Sequence, residues 1–347
     1  MKNINKLLLL ALLLPSTAFF SACNESTDWG DWVEMEEFTG TTRSDAASFV
    51  IGNNAYLFGG YDGDYRLSDL WVMNPENDSW TQMANLADFG GVARNSASAF
   101  AIGTNGYVGL GFDGNDYLKD FWQYNSLTNT WTRKADFAGS ARYGAVGFAL
   151  DGKGYMGTGY DDKYQNDFYR YDPAADTWTQ TAALGNKRVN AAAFVYNNEA
   201  YVLGGSKDGA AVPEFQKFTP STQTWSSKEN GNALETMSDA TTEGFDDNYD
   251  NLAREYPCVF VIESKEGPVK AYMTCGQKGG TLLKDTWEYD FTKDRWKTTT
   301  EFQGTSRVQA VGLTVNGRGI ILTGRNSIYR FDDVWEFLPK QKNDANH

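Results

Sequence analysis

Histidine, cysteine and proline are all scarce: the 347 residues hold one, three and eight of them. The histidine is the last residue, His347, so no Ser–His–Asp triad, Cys–His pair or multi-histidine metal site can be assembled. Positive charge is also in deficit. Lys and Arg number 31 against 45 Asp and Glu, a formal net charge of −14. A surface that acidic repels phosphate backbones and anionic headgroups, which excludes nucleic acid and direct charge-driven membrane binding. What the chain has instead is 35 glycines, 11 tryptophans and 15% aromatic residues. That mixture suits many short strands joined by tight turns, and it is too aromatic for a disordered chain.

Residues 1–22 read as a secretory leader. Lys2 and Lys6 form a basic start, Leu7 to Leu14 an apolar centre, and the small residues Ser21 and Ala22 precede Cys23. The segment is too short and wrongly flanked for a transmembrane span, and no other apolar run is long enough for one. Phe20-Ser21-Ala22-Cys23 resembles the lipobox of bacterial lipoproteins, in which the cysteine is lipidated and becomes the new N-terminus. The resemblance implies lipidation at Cys23, a tether over residues 23–28, and a cell-envelope location, at the outer membrane, with the lipid as the only membrane contact. An ordinary cleaved leader is the alternative. Without Lys2 and Lys6 the charge moves from −14 to −16.

Self-comparison decides the fold. A tryptophan recurs at Trp32, Trp80, Trp131, Trp178, Trp225 and Trp296, and an arginine follows each, at Arg43, Arg94, Arg142, Arg188, Arg254 and Arg307. Then come two apolar runs ending in glycine, as in Tyr56-Leu57-Phe58-Gly59-Gly60, and an acid: Asp69, Asp120, Asp167, Glu214, Asp285 or Asp333. The period is near 50 residues, with four strands per unit. These six copies resemble the Kelch repeat, the blade of galactose-oxidase-like propellers. The expected fold is therefore all-β: a six-bladed propeller of four-stranded antiparallel blades over residues 29–338, with a C-terminal tail at 339–347. The last unit stops at its third strand, Asp333 to Phe337, while an orphan outer strand lies at Asp31 to Met35. The N-terminal strand is expected to close the last blade and leave no open seam.

Features shared by all six copies serve the blade, whereas features of a few can serve a ligand. Each arginine is expected to meet its acid as a structural ion pair, because a buried guanidinium needs a carboxylate. The loops after the paired glycines lie on the arginine side, the default binding face. Three of these loops are aromatic and acidic, with Tyr61, Asp62, Asp64 and Tyr65, then Asp113, Asp116 and Tyr117, then Asp161, Asp162 and Tyr164. The other three, at Ser206, Gln277 and Arg325, are basic or neutral. Aromatic faces beside carboxylates suit sugars, and turn-forming Asp with scaffold-covering Tyr is the plainer reading.

Residues 226–253 break the period with an acidic insertion, whose reading as lid, partner contact or disordered loop is open. Its Asp246 to Asp250 stretch offers carboxylates for Ca²⁺ but lacks the EF-hand spacing. Cys258 and Cys275 fall on adjacent strands, so a cross-strand disulfide and two buried thiols, one register step apart, are both open.

Galactose oxidase needs histidine copper ligands that this chain cannot supply, so no cofactor is expected. A periplasmic N-acetylneuraminate epimerase is also a six-bladed Kelch propeller, but its catalytic loop pattern has no match at Ser206 to Pro213 or Arg325 to Phe331. The expected function is a non-enzymatic, envelope-anchored binding module for a glycan or an envelope protein. A sugar epimerase or mutarotase and a structural envelope component are the alternatives.

Overall fold

The computed structural model describes residues 29–226, 252–263 and 267–343. The leader, Cys23, the tether, Asp246 to Asp250 with most of the acidic insertion, and His347 lie outside the described residues. No helix among the described residues is long and apolar enough to cross a membrane.

Six four-stranded antiparallel sheets form the blades of a propeller. In blade one the strands run outward from the axis as Ala47–Ile51, Asn54–Tyr61, Arg66–Asn74 and Ser79–Met83. Equivalent inner strands are Ser98–Ile102, Val146–Leu150, Ala192–Tyr196, Cys258–Ile262 and Val311–Val315. Blade six takes its outer strand, Trp29–Glu34, from the other end of the chain, paired with Val334–Lys342. That strand continues to Lys342, past the expected end at residue 338.

The second strands are buried along nearly their whole length, as neighbouring blades on both faces require. Most inner strands instead alternate. Ala47, Phe49 and Ile51 are buried, while Ser48 and Val50 face an axial channel. Small residues line that channel, among them Ala99, Gly147, Ala193 and Gly312. At Gly312 any Cβ would strike the backbone of Val259, so glycine sets how closely blades five and six approach. The recurrent tryptophans sit between blades: Trp178 packs edge-on against Phe121, and Trp225 meets Phe168, each 4.9 Å between ring centres.

Blades are also stitched to one another through the backbone. Gly60 donates to the carbonyl of Arg94, Gly111 to Arg142, Gly159 to Arg188, Gly205 to Arg254 and Gly276 to Arg307. Gly324 then donates to Arg43 at 2.8 Å, which closes the circle. These glycines have φ between 87° and 105°, a region side-chain-bearing residues avoid, so the donor can turn toward the next blade only at glycine.

Candidate functional site

The arginine ring is scaffold, as expected. All six guanidinium groups are buried and each meets its acid. Arg43 and Arg94 hold Asp69 and Asp120 bidentately at 2.6 and 2.7 Å. Each arginine also donates to a carbonyl of its own blade, from Gly59, Leu110, Thr158, Gly204, Cys275 and Thr323 in turn. Those six residues have φ of 57–65°, a left-handed conformation that costs about 1–2 kcal/mol where the residue is not glycine. The charge-assisted bond offsets that strain. Blade four departs. Glu214 reaches Arg188 by a single 3.2 Å contact, and burial pulls the Arg188 guanidinium down to about 10 against the pull of Glu214.

Two residues after each arginine the chain turns inward and builds a collar around the axis. Its members are Asp45, Ser96, Gly144, Asn190, Tyr256 and Gln309, all with φ of 52–63°. Backbone bonds run round it from Gln309 to Asp45, Ser96, Gly144, Asn190 and Tyr256, with five N–H···O distances of 2.9–3.0 Å. The collar and the residues just below it, mostly alanines, line a pocket of about 140 Å³. Further cavities of about 180 and 410 Å³ follow down the channel.

Asp45 is the one carboxyl in the collar. Withdrawal from water raises its pKa from 3.8 to about 7, against the lowering effects of Arg325, of hydrogen bonds from Ser96 and Asn95, and of Arg330. Burial likewise pushes the Tyr256 hydroxyl up, helped by the charge of Asp45 and opposed by a hydrogen bond with Gln309.

Outside the collar the rim loops form an arc of stacked groups. Arg330 and Arg66 cover the Tyr61 ring at 4.8 and 4.7 Å, and Arg66 also lies 5.1 Å from Phe112. Phe112 meets Tyr117, which packs on Tyr143 and Tyr160, and Tyr160 meets Tyr164 at 5.1 Å. Beyond this arc Tyr65, Ile328 and Tyr329 stand out into solvent, 72%, 73% and 64% exposed. Their loops adjoin, since Arg330 donates to the Tyr61 carbonyl at 3.1 Å.

A family model described as the KLHDC2/KLHL20/DRC7 Kelch-repeats domain matches residues 17–136. Over those residues the sequence resembles that Kelch-repeat domain, and the fold of the described residues is a six-bladed β-propeller. Among curated proteins, the chain is 28% identical over 113 residues to a leucine-zipper-like transcriptional regulator 1 homolog of Drosophila melanogaster. That match covers 31% of this chain and 11% of the relative, so the two share a small part of the relative's length.

On this propeller scaffold the expected site residues separate. Tyr117, Tyr164, Asp161 and Asp162 come together, with the Tyr117 hydroxyl donating to Asp162 at 3.3 Å. Asp62 and Asp113 shape their own turns, accepting the backbone N–H groups of Asp64 and Tyr65 and of Asn115 and Asp116. Asp64 and Asp116 point to solvent, and Tyr61 is held between two arginines. Tyr65 makes no ring contact among the described residues, so it does not share one surface with Tyr117 and Tyr164.

Of the two readings left open for Cys258 and Cys275, the structure holds the free thiols. Cys258 pairs with Thr274, so Cys275 sits one register step beyond it, in the left-handed conformation. A hydrogen bond to Cys275, and then burial, push the Cys258 thiol up. Among the described residues no three His, Cys, Asp or Glu side chains converge on a metal position.

The collar and the exposed Ile328-Tyr329 tip escaped the sequence reading. A signal for the collar existed: the second residue after the constant arginine differs in every copy.

Proposed function

We propose that this domain is a protein-binding module that engages its partner through the loop face at blades six and one. Kelch propellers typically serve in protein binding. The observation that carries the reading is the exposed trio Tyr65, Ile328 and Tyr329 on two loops that the Arg330–Tyr61–Arg66 stack joins. Large apolar side chains presented on a rigid base bind with little ordering cost, and aromatic residues dominate such contacts. Within this proposal Cys23 anchors the module to the cell envelope, as its lipobox-like sequence supports. A glycan remains the competing ligand, favoured by the Tyr117–Tyr164 cluster and its two carboxylates.

Sugar isomerisation is the second reading, because Asp45 titrates near neutrality as a general acid or base should. The size of the pocket argues against it. At about 140 Å³ it is below the ~300–1,000 Å³ of ordinary small-molecule sites, too small to enclose a sugar ring.

The test places a photo-crosslinking residue at position 329 or at Leu127, an exposed turn residue of blade two, in the full chain in its own host. A defined adduct at 329, absent at 127 and lost when Tyr65 and Ile328 become Ser, supports the loop face. Equal labelling at both positions, or none, overturns it. Glycan-array binding that depends on Tyr117 and Tyr164 would move the assignment to the sugar.

A further inference from the structure

The collar position repeats six times and carries six different residues, only one of them glycine. Every one is in the left-handed region, where glycine is least strained and asparagine next. Glycine, asparagine or aspartate at each position would make the backbone turn with least strain. Ser96, Tyr256 and Gln309 instead keep their side chains against that strain, and with Asp45 and Asn190 they line a single cavity. Strain held at several positions around one cavity points to a ligand site. Gly144 fits the same logic: a Cβ there would clash with the Asn190 carboxamide oxygen, so the missing side chain makes room for that amide.

We propose that this axial pocket binds a primary ammonium group on a short alkyl chain, with Asp45 as its counter-ion. The inference does not rest on the loop-face reading. Among the described residues Asp45 makes no ion pair, and it is the only carboxyl lining the cavity. The charged and titratable groups near it are Arg325, Arg330, Tyr143 and Tyr256. Both arginines are engaged elsewhere. Arg325 donates through Nε to Gln309 at 2.5 Å and through Nη1 to the Asn326 carbonyl at 3.4 Å. Arg330 donates to the Tyr61 carbonyl and lies on the Tyr61 ring. An ammonium in the collar would meet the Asp45 carboxylate with the oxygens of Ser96, Asn190 and Tyr256 around it, a full set of acceptors for three N–H donors. The alanines below offer no polar side chain, so the head group stops at the collar. A volume of about 140 Å³ suits one alkylammonium chain, and a net charge of −14 draws cations toward it. The ammonium can belong to a lysine side chain of a protein or to a free amine.

Titration calorimetry of the full chain tests this with Nα-acetyl-L-lysine amide, 1,4-diaminobutane and butyrate. Both amines should bind and butyrate should not. Tighter binding of the lysine derivative identifies a protein side chain as the source, and tighter binding of the diamine a free amine. Because the cation requires ionised Asp45, affinity should rise about tenfold between pH 6 and pH 8. Asp45→Asn, which keeps a residue tolerant of the left-handed conformation, should lose at least about tenfold in affinity at pH 8 together with the pH dependence. Arg325→Ala should strengthen amine binding by removing a nearby positive charge, a gain that misfolding would not produce. Butyrate binding tighter than the amines, amine binding unchanged in Asp45→Asn, or no amine binding at 50 mM overturns the proposal.

Discussion

Asp45 makes the stability of the propeller depend on pH in an unusual direction for a carboxyl group. The folded protein holds its proton up to about pH 7, whereas the unfolded chain releases it near 3.8. Between those values the folded state binds more protons, so the contribution of Asp45 to stability is complete below pH 4 and falls as the pH rises toward 7. Asp45→Asn is neutral throughout and should remove that loss. The variant is expected to be more stable than the parent at pH 8, by on the order of 1–3 kcal/mol, and close to it at about pH 3.5. Urea unfolding at the two pH values measures the difference. Little in the residue types reveals this group in advance. Of the six collar residues Asp45, Gly144 and Asn190 belong to types that commonly adopt the left-handed conformation, but such residues also mark many ordinary turns, and the turn that aims Asp45 at the axis is set by backbone bonds to Ser96 and Gln309. Comparing the copies for what they share finds the arginine and its acid. Comparing them for what they do not share finds the collar.

Within a blade, the arginine–acid pair joins the start of the inner strand to the third strand, and its strength varies around the ring. Asp120→Ala would strand a fully buried Arg94 and should cost about 3–5 kcal/mol. Glu214→Ala should cost less, on the order of 1–2 kcal/mol, because Arg188 keeps the Gly204 and Glu214 carbonyls and has only one long contact to lose. Chemical denaturation of the two variants should rank them in that order, and an equal loss would mean that the acids act through packing alone. The strands and these pairs were legible because each motif appears six times, which separates pattern from accident. The loops were less so. Their residue types correctly marked turns at Asp62 and Asp113, but exposure depends on which neighbour lies underneath. Tyr61 and Tyr65 are four residues apart in one loop; one is wedged between two guanidinium groups and the other stands free. The blade-six loop reads as polar from Arg325 to Ser327, and its exposed apolar tip comes only with the next two residues.

For the molecule as a whole, closure is the feature on which the rest depends, and the missing strand at one end of the sequence announced it. Removing residues 29–35 should leave the third strand of blade six as an open edge, lower the melting temperature by about 10 °C, and promote self-association. Thermal melts with light scattering would record both effects, and a truncated chain that melted with the parent would show that the glycine-to-arginine belt alone holds the ring. The same pairing has a mechanical side. Trp29 lies opposite Lys342, and the two strands run antiparallel from there, so both described ends of the propeller leave from one corner of one blade. A pull between those ends would not load all the ladder bonds at once. It would peel them singly, as a zipper opens, making this seam the weakest under tension although its ladder is regular at rest from Asp31 to Glu34. A short covalent link across that corner would turn the seam into a continuous hairpin. The ring could then be opened at any other surface turn without losing a strand.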